Sequence, residues 1–311
     1  MDRSRQLRQA AFALLAVGAV AFAARALAKQ WNEFASSGAT LSFRVLPLAQ
    51  SALYVLLAYV ILIETWRRTV TAWGGSLPWQ RAARIWFVSN LGRYIPGKVW
   101  QIGAMGVMAQ DAGVSAVAAT GSALVVNLVN LLAGLGVVLV TGARSLDHPR
   151  AAVVLGAALV LGLGFAPRLV HVASRVASRA LGRALEVPPL PPGSVAIALA
   201  GCTLAWILYG LAFRSLVASV LGGVDGGASS YVAAFTGSYL AGYIALFAPG
   251  GIGVRELSLV SALRRLGLAA GGGAGVVVLA SRIWLTVLEV LPGALFLAAS
   301  ALRRNPSDKS R

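Results

Sequence analysis

The sequence predicts an all-α, polytopic membrane protein. About six full spans are expected, plus two Pro-Gly re-entrant hairpins in an inverted-repeat-like arrangement, with eight kinked spans as the alternative. Three observations carry this expectation. Only 12% of the 311 residues are charged and 58% are hydrophobic, whereas an average soluble domain is about 25% charged. Six apolar runs are long enough to cross a bilayer, and two more apolar stretches are each interrupted by Pro-Gly. So few polar residues cannot clothe a water-facing surface, which excludes a soluble globular enzyme. The net charge of +17 sits on an apolar chain, unlike the polar composition of a disordered or nucleic-acid-binding basic protein.

A spanning helix needs ~20 mostly apolar residues. The runs at 8–28, 45–66, 114–142, 151–167, 193–221 and 272–301 qualify, while 82–105 and 229–268 are broken. Arg3, Arg5 and Arg8 precede the first run, and Ala21-Phe22-Ala23 resembles a cleavage site. Because the apolar character continues into a multi-span chain, a retained anchor is expected rather than a cleaved signal peptide. Cys202 is the single cysteine and lies in an apolar run, so no disulfide framework is expected. With His148 and His171 as the two histidines, no zinc site or other cofactor is expected either.

Cytoplasmic loops carry the Lys/Arg excess. An N-terminus inside places Arg3, Arg5, Arg8, then Arg67, Arg68, Arg81, Arg84, then Arg168, Arg175, Arg179, Arg183, and finally Arg303, Arg304, Lys309 and Arg311 on the inner face. The outer face receives the smaller set: Arg25, Lys29, Arg44, Arg144, Arg150, Arg264 and Arg265. This bookkeeping holds if the first broken stretch dips in from the cytoplasm and the second from outside. The expectation is one integral membrane domain over 1–311 in the plasma membrane, with both termini cytoplasmic. Its first half is 1–150, broken at 90–100. An outer-to-inner span and a basic cytoplasmic linker helix fill 151–192. The second half is 193–301, broken at 248–256, and a basic tail occupies 302–311. In the linker, Arg168, His171, Arg175, Arg179, Arg183 and Glu186 share one face at about 100° per residue, opposite Val170, Ala177, Leu181 and Ala184. Such a helix suits an anionic inner leaflet.

The breaks read Asn90-Leu91-Gly92-Arg93-Tyr94-Ile95-Pro96-Gly97-Lys98-Val99-Trp100 and Ala248-Pro249-Gly250-Gly251-Ile252-Gly253-Val254-Arg255-Glu256. Pro removes a backbone donor and Gly lets the chain reverse. In hydrocarbon the freed polar groups need partners, so such breaks survive only inside protein or beside a polar cavity. A half-helix starting at Gly97 or Gly250 would aim N–H groups into that cavity, where an anion is favoured. Paired interruptions in two halves point to a transporter site. Neither break contains the Gly-Lys-Ser/Thr of a nucleotide loop.

Arg93, Lys98, Arg214, Arg255 and Arg282 lie in or near the apolar zone, against the acids Glu256 and Glu289. An unpaired charge at the bilayer centre costs at least ~2.5–3.5 kcal/mol. An anionic headgroup would offset this excess of bases, and snorkelling, above all of Arg214, is the alternative. Glu64 is expected at the inner interface, paired with Arg67 and Arg68. Arg282, Thr286 and Glu289 share one helix face, where an intrahelical or tertiary ion pair is expected; a conformation-dependent pair that exchanges partners with Arg255 and Glu256 is the alternative. Asn127 and Asn130 are expected to bond a neighbouring helix, with cavity lining as the alternative. Gly134 and Gly136 permit close helix packing.

The two breaks also carry a family resemblance. Asn90 to Trp100 and, more specifically, Pro249 to Glu256 resemble the signature segments of the lysylphosphatidylglycerol synthase transmembrane-region family, also described as the flippase-like domain family. The resemblance covers essentially the whole chain. It implies a membrane region that can be fused to a soluble aminoacyl transferase, with the membrane part moving the product between leaflets. Related members are linked to polyprenol-phosphate glycan chemistry. No soluble transferase domain is visible in these 311 residues, so only the membrane role is implied.

The expected function is therefore a non-enzymatic translocase for an anionic lipid or lipid-linked phosphate. Its partners would be an anionic phospholipid or a polyprenyl-phosphate-linked substrate, and no nucleic acid. The candidate binding residues are Arg93, Tyr94, Pro96, Gly97, Lys98, Pro249, Gly250, Gly251, Gly253, Arg255, Glu256, Arg282 and Glu289. A membrane-embedded lipid-phosphate glycosyl or aminoacyl transferase is one alternative; Glu256, Glu289 and Asp111 are the acids it could use. A non-catalytic partner in envelope assembly is the other.

Overall fold

The computed structural model describes Arg25, 43–94, 99–142, Val154, 156–159, Arg175, 192–244, 253–269 and 273–303. The spans expected at 8–28 and 151–167 and the linker helix at 168–186 lie outside these residues, apart from helical positions at Arg25, Val154, 156–159 and Arg175. Among the described residues all regular structure is helical. The helices are α1 (Val45–Ala72), α2 (Trp79–Asn90), a 3-10 turn (Leu91–Tyr94), α3 (Val99–Asp111), α4 (Ala116–Gly142), α5 (Pro192–Leu221), α6 (Ala228–Ile244), α7 (Val254–Arg265) and α8 (Gly273–Arg303).

Helices α1, α4, α5 and α8 contain segments long and apolar enough to cross a membrane: Val45–Ala72, Ala118–Gly142, Gly193–Leu221 and Gly273–Ala298. They coincide with the spans expected at 45–66, 114–142, 193–221 and 272–301. The stretches expected to be broken are broken. Helices α2, α3 and α7 have 12, 13 and 12 residues. At a rise of about 1.5 Å per residue they reach only about 18–20 Å, short of the ~30 Å hydrocarbon core.

Local sequence explains where the helices stop. After α1 the chain turns through Gly74, with φ +77°, and Gly75 N–H donates to the Val70 carbonyl at 3.1 Å. Gly113, with φ +92°, closes α3, and Ser115 caps α4 by accepting the Ala118 N–H at 3.2 Å. Pro192 opens α5, where its missing N–H is not needed. At the end of α7, Gly267 has φ +63°, and Leu268 N–H returns to the Leu263 carbonyl at 2.9 Å. Pro292 lies inside α8 without ending it.

Among the described residues, the order long apolar helix, two shorter helices, long apolar helix occurs twice: α1, α2/α3, α4 and then α5, α6/α7, α8. The packing repeats with the order. Contacts α1–α2, α2–α3, α3–α4, α1–α4, α4–α6 and α4–α5 have counterparts in α5–α6, α6–α7, α7–α8, α5–α8, α8–α2 and α8–α1. The equivalent helices α1 and α5 lie against each other along their lengths. They run antiparallel. Arg44 N–H donates to the Ser219 carbonyl (3.2 Å) and Ser219 Oγ to the Arg44 carbonyl (2.9 Å). Farther along, Ser215 Oγ donates to Gln50 (3.4 Å), and Gly201 lies against Thr65. Tyr59 and Tyr209 meet edge to face where the helices cross, with centroids 6.1 Å apart.

Glycines set the closest approaches. A β-carbon on Gly210 would stand 2.5 Å from the Val232 Cα on α6, and one on Gly134 would stand 3.0 Å from Trp206 Nε1 on α5. The close packing expected of Gly134 is thus present. Gly210→Ala would press a methyl group onto backbone that cannot rotate away. We expect it to cost about 1–3 kcal/mol, read as a lower Tm of the detergent-purified protein. Gly103→Ala, whose β-carbon meets nothing within 4 Å, should leave Tm unchanged or slightly raised.

Candidate functional site

Each helix pair is secured beside its break. In the first, Asn90 is fully buried, and its Oδ1 accepts a hydrogen bond from Gln101 Nε2 across the break. Gly92 lies so close to the Trp100–Gln101 backbone that a β-carbon there would stand 3.2 Å from Gln101 N. The chain therefore reverses between α2 and α3. In the second, Gly253 has φ +87°, a conformation L side chains rarely adopt. Its N–H donates to Glu256 Oε2 at 2.7 Å. Glu256 thus caps the first turn of α7, where a carboxylate is favoured by the helix dipole.

Between the hairpins lies a cavity of about 130 Å³ walled by α1 to α7. Its polar and aromatic lining is distinctive. Four carboxamides face it: Asn90, Gln101, Asn127 and Asn130. Six aromatic side chains, Tyr59, Trp86, Trp206, Tyr209, Tyr239 and Tyr243, contribute as well. Arg255 is the cation among its described lining residues. This arginine is buried, with 6% exposure. Its guanidinium carbon lies 4.7 Å from the Tyr239 ring centroid and 5.4 Å from that of Phe235, within cation–π range.

Helix α4 is registered against its neighbours by tryptophans. Trp206 Nε1 donates to the Asn130 carbonyl at 2.8 Å, and Trp66 Nε1 donates to Ser122 Oγ at 3.0 Å. The bond to a neighbouring helix expected of Asn127 is not found among the described residues; its Nδ2 donates to the Ala123 carbonyl of its own helix at 2.8 Å. Both asparagines line the cavity, the alternative named for them from sequence. A short-spaced pair of Asn in an apolar helix does not itself say which way the pair faces.

The remaining candidates form a second cluster, on the α8 side of α7. Glu256 Oε1 lies 3.5 Å from Arg282 Nη1. Arg282, Thr286 and Glu289 are all buried, in keeping with their shared face. Arg282 is thus paired across helices, with Glu256, and neither residue lines the cavity. Arg93 and Tyr94 belong to the 3-10 turn after α2. Pro96, Gly97, Lys98, Pro249, Gly250 and Gly251 lie outside the described residues. Glu64 holds Arg67 through two hydrogen bonds (2.7 and 2.8 Å) and Arg68 through a third (2.8 Å), as its spacing predicts. The aromatic lining of the cavity was missed at the level of sequence. The Tyr and Trp residues are dispersed over four helices, and only the fold gathers them.

Several apolar helices, two pairs of shorter helices and a cavity lined by aromatic, apolar and amide residues define a polytopic helical membrane protein. A family model described as Lysylphosphatidylglycerol synthase TM region matches residues 9–293. The chain belongs to that family, whose name ties it to membrane lipids. Among curated proteins, no match is found.

The Glu256–Arg282 contact predicts coupled stability. Glu256→Gln and Arg282→Gln should each lower Tm, because each removes one charge of a contact made in a poorly solvated place. The double variant should lose less than the sum, by a coupling of about 0.5–3 kcal/mol. Additive losses in a thermal-unfolding cycle would show that the contact contributes nothing.

Proposed function

We propose that this protein is a translocase, a carrier and not an enzyme, that moves the headgroup of an anionic lipid or lipid-linked phosphate across the plasma membrane. The observation that carries the reading is Arg255. It is a buried cation in the first turn of a half-length helix, at the wall of an amide- and aromatic-lined cavity between two broken hairpins. The N-terminus of α7 is capped by Glu256, so the guanidinium of Arg255 is the described group that would attract an anion. A guanidinium at the wall of such a cavity can hold a phosphate oxygen by charge-assisted hydrogen bonds. Membership of a membrane-lipid family agrees with this reading.

In this proposal α2/α3 and α6/α7 are re-entrant hairpins entering from opposite faces, and the chain is an inverted repeat with both termini cytoplasmic. The antiparallel contact of α1 with α5 and the paired helix contacts support it. The sequence adds a second cation, Lys98, within the first break. The acyl or prenyl tails stay in lipid while the headgroup occupies the cavity. Rocking of one half against the other then exposes it to each face in turn.

The test is headgroup movement in vesicles reconstituted with the purified protein. Lys98→Ala and Arg255→Ala should each slow it. A hydrogen bond to a charged group is worth about 1.5–3 kcal/mol, so the expected loss is about 10- to 100-fold. Unchanged movement in both variants, with both still folded, would overturn the proposal.

A further inference from the structure

The ion pair between α7 and α8 has no part in holding the guest. Resting on the translocase reading, we propose that Glu256 is the site of a coupling proton. The carrier takes up one proton on this carboxylate with each anionic headgroup, and the two cross together. The first argument is what the cluster costs. Arg282, Thr286 and Glu289 are buried on one face of α8, and Glu256 Oε1 of α7 lies 3.5 Å from Arg282 Nη1. Desolvating charges costs more than so long a contact returns, and apolar side chains would hold α7 to α8 at least as well. Ionisable groups placed within a membrane mark ion pathways and proton relays. A metal cation suits this place badly, because it would share it with the Arg282 guanidinium. No group of three metal-ligating side chains occurs among the described residues. A proton suits it, because it cancels the charge of the carboxylate.

The second argument is that this pair is built to part. Glu64 of α1 takes three hydrogen bonds from Arg67 and Arg68, at 2.7 to 2.8 Å. Glu256 Oε1, by contrast, is buried and accepts no hydrogen bond among the described residues. With a proton on Oε1 the carboxyl is neutral and its attraction for the guanidinium is lost. Arg282 keeps its charge, and Glu289, seven residues on along the same face, is the acid it can turn to. The Gly253 N–H, which donates to Oε2 at 2.7 Å, loses a charged acceptor at the same moment. One proton therefore loosens both the first turn of α7 and its tie to α8.

The third argument is position. Glu256 is next to Arg255 in the first turn of α7, and Arg255 lines the cavity. A carboxylate there opposes an anion arriving at Arg255, and protonation removes that opposition in a poorly screened place. The effect is reciprocal: the anion raises the affinity for the proton by the same factor. Other charged groups around Glu256 are few among the described residues. Helix α7 carries Arg264 and Arg265 in its last turn. Helix α8 carries Arg282, Glu289 and, at its end, Arg303, and α6, also packed on α7, has tyrosines as its titratable residues. A phosphate diester bears one negative charge, so diester and proton cross together with no net charge moved.

The experiment places the full chain in vesicles of phosphatidylcholine and phosphatidylglycerol with a pH difference of one unit across the membrane. Periodate, which cleaves the glycerol headgroup on the outer surface, counts the phosphatidylglycerol in each leaflet. The count is made within a time over which protein-free vesicles show no movement. We expect phosphatidylglycerol to accumulate about tenfold on the alkaline side, the ratio one-to-one coupling gives per pH unit, and an imposed electrical potential to leave that ratio unchanged. Glu256→Gln, a permanent stand-in for the neutral carboxyl, should spread the lipid evenly under the same gradient. Adding phosphatidylglycerol to the unaltered protein in unbuffered detergent solution should draw protons from the medium, an uptake that Glu256→Gln lacks. The gradient result rests on the unaltered protein, so it stands even if the variant misfolds. Absence of proton uptake by the unaltered protein would overturn the proposal, and so would a distribution that follows a sodium gradient or the potential. If headgroups move but ignore the pH gradient, the coupling falls and the carrier stands. If proton uptake is present but no headgroup moves, the carrier falls and the proton site stands.

Discussion

The antiparallel contact between α1 and α5 is the constraint on which the rest of the structure depends. Gly201 lets the Thr65 side chain reach the α5 backbone, and Arg44 and Ser219 exchange hydrogen bonds at one end. Two long helices so joined form a central wall, and the other helices pack on its two sides in matching pairs. The hairpins are held to this wall by their own arms, α2 on α1 and α6 on α5. The cavity is the space left where short arms do not fill the depth that long helices span. Its existence follows from helix length before any question of what it holds.

Charge is apportioned around α7 by the same geometry. Arg255 and Glu256 are adjacent in sequence, so about 100° separates them around the helix. One therefore faces the cavity, and the other faces α8 and Arg282. The carboxylate serves as a helix cap and as the partner of a buried base, which keeps it away from the guest. The cationic character of the cavity is thereby preserved although an acid stands next to its arginine.

Much of this was legible in the sequence. Composition and run length located the four described spans to within a few residues, because hydrocarbon thickness leaves little freedom. The breaks were legible because Pro-Gly with charge close behind is hard to accommodate in an unbroken membrane helix. Pro292-Gly293 shows the limit of that reasoning. The same dipeptide lies within α8, which continues through it, and Gly293 packs tightly against α2, where a β-carbon would stand 3.2 Å from the Phe87 carbonyl oxygen. The difference lies in the residues next along the chain: apolar ones continue after Gly293, whereas Lys98 comes directly after Gly97, and Arg255-Glu256 lie five and six positions after Gly250. The orientation of Asn127 and Asn130 and the gathering of the aromatic rings were not legible, since both depend on which faces of distant helices meet.

Pro292 has a mechanical consequence. Lacking an N–H, it leaves the Leu288 carbonyl without its usual helical donor, so α8 is softest there. The segment before this point holds the second hairpin through Arg282 and the central wall through Trp284, whose Nε1 donates to Ser51 at 3.1 Å. The segment after it leans on the first hairpin, with Phe296 stacked on Phe87 at 6.1 Å. Helix α8 is therefore a lever with a joint between its two grips. Displacement of one hairpin reaches the other attenuated by bending at that joint, so the two tips are linked by a compliant coupling and not by a rigid rod.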